Sequence, residues 1–143
     1  MQIRLVLGAT ALGMGLIIAP GYSHAQGTDI GKQEYMESCA SCHGEDGKGR
    51  GPVAGSLKQK VPDLTVLAKA SAGVFPFARI YDVIDGRQAL SVHGPSNMPV
   101  WGKIYTEEAL KYGEGIAPRE ELSSFARGRI IALIGYIYTL QAK

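Results

Sequence analysis

The stretch Cys39-Ala40-Ser41-Cys42-His43-Gly44 contains the only two cysteines of a 143-residue chain. The two thiols stand three residues apart, which places them on the same side of a helical turn, and a histidine follows directly. Four chemical uses fit such a pair: a disulfide, zinc ligation, a redox dithiol, or covalent attachment of a haem through two thioethers. The rest of the sequence has to distinguish among them.

Residues 1–25 have the pattern of a secretory signal peptide. Arg4 supplies a cationic start, residues 5–19 form an apolar run, and Ser23-His24-Ala25 is a small-x-small cleavage site. We expect cleavage before Gln26 and export to the periplasm. An uncleaved membrane anchor is the alternative, but the apolar run is shorter than the roughly 20 residues that span a bilayer.

The composition predicts one exported domain at residues 26–143. Loss of Arg4 with the signal leaves 14 basic side chains of the original 15, against 13 acidic ones. Nucleic-acid binding needs a concentrated basic face, which this balance does not supply. We expect a monomer that binds no nucleic acid and has no stable membrane insertion once the signal is removed.

Hydrophobic periodicity, with glycine and proline as breaks, predicts helices joined by loops. The glycine-rich segment from His43 to Pro62 is expected to be an irregular loop, and residues 87–101 are expected to be extended. No segment alternates like a strand, so the predicted fold class is all-α. The predicted helices span residues 28–41, 63–70, 76–85, 107–112 and 124–141.

These helices form a poor core by themselves, because each ordered loop residue costs about 1–2 kcal/mol of backbone entropy. A large apolar group at the centre would compensate. In an exported chain the Cys-x-x-Cys-His pattern favours one covalent haem c, with Cys39 and Cys42 as thioether attachment points. His43 then supplies an axial nitrogen to iron, and its other ring nitrogen needs an acceptor, for which a carbonyl of the glycine-rich loop is suited.

The rival uses of the two thiols are weaker. A structural zinc site needs four ligands, and His93 is the one further histidine in residues 26–143. A thioredoxin-like dithiol stands at a helix N-terminus after a strand, whereas this pair ends a helix. A disulfide over so short a span would restrict the unfolded chain little.

The second axial ligand decides between an electron carrier and a gas binder. Met36 precedes Cys39 by three residues on the same helix, so its thioether cannot cross to the opposite face of the ring. Met98 is followed by Pro99, which holds it in extended backbone, and a thioether ligand raises the reduction potential. We favour His43 and Met98 as the iron ligands, with His93 as the alternative to Met98.

Over nearly all of residues 26–143 the chain resembles class I c-type cytochromes. The resemblance rests on Gly31, Tyr35, the Cys39–His43 motif, Met98-Pro99 and the Leu133-x-x-Tyr136 pattern. It implies a cytochrome c fold of three to five helices around one covalent haem. In that fold the first and last helices cross, so that Gly31 and Tyr35 meet Leu133, Gly135 and Tyr136.

The resemblance also implies roles for three further residues. The carbonyl of Pro62 would face His43, while Trp101 and Tyr105 would line the haem pocket, bond a propionate, or pack in the core. Residues 75–92 and 106–123 have no counterpart in the shortest members of the family. They are the places where partner specificity could reside.

The predicted function is periplasmic one-electron transfer between respiratory or dehydrogenase partners, without enzymatic activity, because a six-coordinate iron has no position for a substrate. One alternative is a dedicated cytochrome subunit of a periplasmic oxidoreductase. Another is a haem sensor or gas-binding protein, if Met98 does not bind iron. A basic cluster after the motif could steer an acidic redox partner, or be a solvated loop offset by Glu45 and Asp46. The cluster consists of Lys48, Arg50, Lys58 and Lys60.

Overall fold

The computed structural model describes residues 26–87 and 98–142. These residues form helices and loops and contain no strand, which confirms the all-α prediction. The predicted signal peptide and His93 lie outside the described residues. The helices are α1 (Gln26–Ser38), α2 (Ala40–His43), α3 (Leu67–Ala70), α4 (Phe77–Asp85), α5 (Trp101–Gly113) and α6 (Arg119–Thr139), with 3₁₀ turns at Ala54–Ser56 and Leu64–Val66.

Helices α1 and α6 cross in close contact at Gly31. A Cβ atom on Gly31 would collide with the backbone oxygen of Ala132 and would lie 3.1 Å from Cβ of Tyr136. Only a residue without a side chain permits this approach. The predicted participation of Gly135 is wrong, because nothing lies within 4 Å of the position that its Cβ would take.

Tyr35 extends this crossing toward the cysteine motif. Its side chain is fully buried, and its ring centroid lies 5.2 Å from that of Tyr136. Its hydroxyl donates a 2.7 Å hydrogen bond to the carbonyl of Gly44, just after the motif. The packing of α1 on α6 is thereby coupled to the turn that carries Cys39 and Cys42.

A partly buried ion cluster joins α1, α5 and α6. Arg129 lies 2.6 Å from Glu34 and 2.7 Å from Glu108, and its guanidinium carbon lies 3.9 Å from the centroid of the Tyr105 ring. Burial alone would lower the pKa of Arg129, but hydrogen bonds to the two carboxylates outweigh it and raise that pKa. The three helices therefore form one frame around an ionised arginine.

Helices α5 and α6 begin earlier than predicted. α5 starts at Trp101 rather than at residue 107, and its Gly102 packs so closely on Asp85 of α4 that a Cβ would collide there. α6 starts at Arg119 rather than at residue 124, with Glu120 in the first turn, where a negative charge is favourable. Most of residues 106–123 therefore lie in α5 and α6, which belong to the frame of three helices.

No helix in residues 26–87 and 98–142 combines the length and apolarity that a membrane span requires. The buried core is made mainly by Tyr35 from α1, Ile80 and Ile84 from α4, Tyr105 from α5, and the face of α6 that carries Ile130, Leu133, Ile134 and Ile137. α4 packs against α6 beside this core, and this arrangement leaves space next to the cysteine motif.

We expect Gly31→Ala to lower the free energy of unfolding by about 2 kcal/mol, since the methyl group forces α1 away from Ala132. Urea denaturation followed by far-ultraviolet circular dichroism measures the change. Gly128→Ala is the matched control, because its site in α6 has open space, and it should stabilise by roughly 0.5–1 kcal/mol. Equal effects of the two variants would contradict the crossing.

Candidate functional site

The cysteine motif follows directly on α1. α1 ends at Ser38, Cys39 is a single turn residue, and α2 follows. Hydrogen bonds of 2.8 Å from the Cys39 amide to the Tyr35 carbonyl, and from the His43 amide to the Cys39 carbonyl, keep the turn helical. This local geometry holds both thiols and the imidazole at one end of α1.

The thiols do not have the features of a redox pair. Cys39 and Cys42 form no disulfide. Burial raises the pKa of Cys39 to about 12, with smaller contributions from Glu34 and Cys42. A reactive dithiol needs a thiol whose pKa is lowered, so the raised pKa of Cys39 does not support a redox dithiol.

The loop after the motif returns to His43 at Pro62. His43 is buried, and its Nδ1 lies 3.3 Å from the carbonyl oxygen of Pro62, to which it donates as the Nδ1–H tautomer. Burial lowers the pKa of His43, and the Pro62 bond offsets this only in part. The ring is therefore neutral, with Nε2 left as an electron-pair donor suited to iron.

Glycines let this loop pack directly on the motif. The Gly49 amide donates to the His43 carbonyl at 2.7 Å, and Gly49 has a φ of 74°. A Cβ there would collide with the carbonyl of Val61, and one on Gly51 would collide with the carbonyl of Ser41. The glycines of this loop thus allow the carbonyl of Pro62 to come within hydrogen-bonding distance of His43.

Asp63 anchors the end of this loop. Its Oδ1 accepts hydrogen bonds from the Thr65 hydroxyl at 2.6 Å and the Thr65 amide at 2.8 Å, and so caps the turn at Leu64–Val66. These two bonds hold the pKa of Asp63 below its usual value. The cap fixes the direction of the chain immediately after Pro62.

A cavity of about 440 Å³ opens beside the motif, a size within the range of cofactor sites. Apart from the residues of the motif, the cavity wall is mostly apolar. It includes Leu67 from α3, Ile80 and Val83 from α4, and Ile137 from α6. The cavity brings together six residues predicted for the site. They are Cys39, Cys42, His43, Pro62, Met98 and Trp101.

Tyr105, also predicted for the site, does not line the cavity. It is 1% exposed, lies under the guanidinium of Arg129, and its ring centroid is 5.8 Å from that of Trp101. Its hydroxyl lies near Ser38 and Glu34 but forms no hydrogen bond with any group in the described residues. Burial raises the pKa of this hydroxyl. Of the three environments considered for Tyr105, the structure places it in the core.

Two residues of the predicted basic cluster have different environments in the structure. Arg50 pairs with Asp46 at 3.3 Å on the exposed loop, whereas Lys60 lines the cavity. Sequence reasoning did not single out Arg79, whose side chain also lines the cavity from α4. No local signal marks Arg79, because its place at the cavity depends on how α4 packs against α6.

The lining suits haem c chemically. Two thiols stand beside a neutral imidazole, a thioether is present, and apolar side chains can cover the faces of a porphyrin. Within residues 26–87 and 98–142, no group of three or more histidine, cysteine or acidic side chains forms a site for a bare metal ion. The donor set therefore fits a haem and does not fit zinc.

Comparison with known proteins identifies a family for most of the described chain. The family model described as cytochrome c oxidase, cbb3-type, subunit III matches residues 26–112. No curated protein and no solved structure matches the chain. The matched region includes the cysteine motif, Met98 and most of α5, and it ends before α6.

We expect Asp63→Ala to reduce the free energy of unfolding at neutral pH by roughly 0.5 kcal/mol, through loss of a partly exposed cap. The pKa of the Asp63 carboxyl is lower in the folded state than in the unfolded state, so the carboxylate stabilises the fold at pH values above the unfolded pKa, ~3.9. This stabilisation is lost as the pH falls through the folded-state pKa. The difference from the parent should therefore shrink at about pH 3.

Urea titrations of the haem-loaded protein at both pH values measure this difference. Glu45→Ala removes an equal charge from an exposed position in the same loop and serves as the control. A difference that persists unchanged in acid would show that the Asp63 carboxylate is not the origin of the effect.

Proposed function

This chain belongs to the family of c-type cytochrome domains described as cytochrome c oxidase, cbb3-type, subunit III, and we propose that it is a periplasmic one-electron carrier with His43 and Met98 as axial iron ligands. Membership implies a covalently bound haem c and an electron-transfer role with redox partners. The compartment, the two ligands and the position of the chain between a donor and an acceptor are the proposed part.

The residues that line the cavity are the main support for this proposal. His43, with its Nδ1 bonded to Pro62, and Met98 both line the space beside Cys39 and Cys42. The haem supplies one-electron chemistry when bound. The chain holds its attachment points at the end of α1, keeps the histidine neutral and excludes water with the apolar wall from α4 and α6.

The proposed compartment rests on the signal-like pattern at residues 1–25. The family match starts at residue 26, which is also the predicted first residue of the mature chain. Expression with and without residues 1–25 tests the proposal, since only the full chain should yield coloured protein in the periplasmic fraction. Coloured protein retained in the membrane fraction would instead support an uncleaved anchor.

We expect Met98→Ala to keep the covalent haem and to lose the far-red absorption band of a thioether ligand in the oxidised spectrum. The reduction potential should decrease, because thioether ligation raises it, and the reduced variant should bind carbon monoxide rapidly. Visible spectra, redox titration and carbon monoxide mixing measure these three changes.

Met36→Ala is the matched control for this experiment. Met36 is 37% exposed on α1 and does not line the cavity, so its spectrum and potential should equal those of the parent. If Met98→Ala also left both unchanged, Met98 would not be a ligand. Rapid carbon monoxide binding by the parent protein would favour a haem sensor or gas-binding protein.

A dedicated subunit of a periplasmic oxidoreductase is the second candidate. The matched family is described as an oxidase subunit, and large apolar side chains are exposed near the junction of α5 and α6, among them Tyr112, Ile116 and Phe125. Size-exclusion chromatography of a native periplasmic extract, followed at the haem absorption band, separates the two candidates. Elution at the size of the single chain supports a free carrier, and elution in a stable larger complex supports a subunit.

A further inference from the structure

The cavity lining contains two permanent positive charges. Lys60 reaches the cavity from the loop that ends at Pro62, and Arg79 reaches it from the first turn of α4. No carboxylate lines the cavity among the described residues. In a mostly apolar wall, two cationic side chains without an anionic one call for a specific explanation.

Arg79 lies on α4 among other residues that line the cavity. Its neighbour Ile80, and Val83 and Ile84 one turn later, line the same cavity. Both Arg79 and Lys60 are exposed and also line the cavity, a combination that is expected of long cationic side chains whose apolar stems pack while their charged ends stay in water. The two side chains therefore place cationic donors at the edge of the site.

Neither cation has an anionic partner in the part of the chain that the structure describes. The ion pairs found there involve Arg50, Arg87, Lys103 and Arg129. A guanidinium offers a planar fork of donors that matches a carboxylate in a bidentate arrangement. Within the described residues, Arg79 thus lines the cavity without an ion-pair partner, and no carboxylate lines the cavity beside it.

We propose that Arg79 binds a propionate carboxylate of haem c and that Lys60 provides the second positive charge for the propionates. The inference rests on attachment of the haem at Cys39 and Cys42. The propionates lie on the two pyrrole rings that carry no thioether link. Compensation of their charge by Arg79 and Lys60 stabilises the reduced haem, which carries one more electron than the oxidised form.

The test compares Arg79→Gln and Lys60→Gln with the charge-matched controls Arg119→Gln and Lys58→Gln. Arg119 and Lys58 are exposed and do not line the cavity, and Lys58 lies in the same loop as Lys60. Midpoint potentials are measured by spectroelectrochemistry at low ionic strength. Resonance Raman spectra report the propionate bending band of each haem-loaded variant.

For Arg79→Gln we expect the equilibrium constant for reduction to fall by up to about tenfold, which equals ~59 mV for a one-electron couple. The propionate band should shift in this variant and stay in place in the controls. Lys60→Gln should give a smaller decrease in potential. Arg79→Lys should recover most of the potential but keep a shifted band, because lysine lacks the bidentate fork.

Two results separate failure of this inference from failure of the proposed function. If the coloured Arg79→Gln protein shows the potential and the propionate band of Arg119→Gln, the propionate assignment is overturned. If the parent chain matures without any haem absorption, the proposed function itself is refuted and this inference with it. A normal haem absorption band in every variant shows that the potentials compare equally folded proteins.

Discussion

The contact between Nδ1 of His43 and the carbonyl oxygen of Pro62, at 3.3 Å, joins the two parts of the chain that make the site. It sets the tautomer of the imidazole and leaves Nε2 available for the iron that we propose it binds. It also closes the loop that leaves the motif after Gly44, and this loop brings Val61 and Lys60 to the cavity. If the Pro62 carbonyl were displaced, ligand orientation and cavity shape would change together.

The loop keeps this position because its ends are attached to a rigid frame. One end follows α2, where the hydroxyl of Tyr35 holds the Gly44 carbonyl, and the other is capped by Asp63. Tyr35 in turn is buried between α1 and α6, at the crossing that Gly31 permits. Ordering a long irregular loop is costly in backbone entropy, so these attachments and an apolar group within the loop stabilise one another.

The charged side chains that line the cavity among the described residues are all cationic. Burial favours the neutral form of His43, and the described cavity wall contains no carboxylate. The partly buried ion cluster of Arg129, Glu34 and Glu108 pairs its charges within the frame. Those cationic side chains are Lys60 and Arg79, and in our proposal both stabilise the reduced haem.

The sequence by itself determined the helical class, the attachment motif, the loop after it and the residues from which a ligand set can be chosen, because each of these depends on spacing within a few residues. Tertiary structure decided the early starts of α5 and α6, the burial of Tyr105 under Arg129, the approach of Gly31 to Ala132 rather than to Gly135, and the place of Arg79 at the cavity. These features depend on contacts between helices that are distant along the chain. Local periodicity does not encode which backbone atoms will meet, so such contacts appear only once the helices are packed.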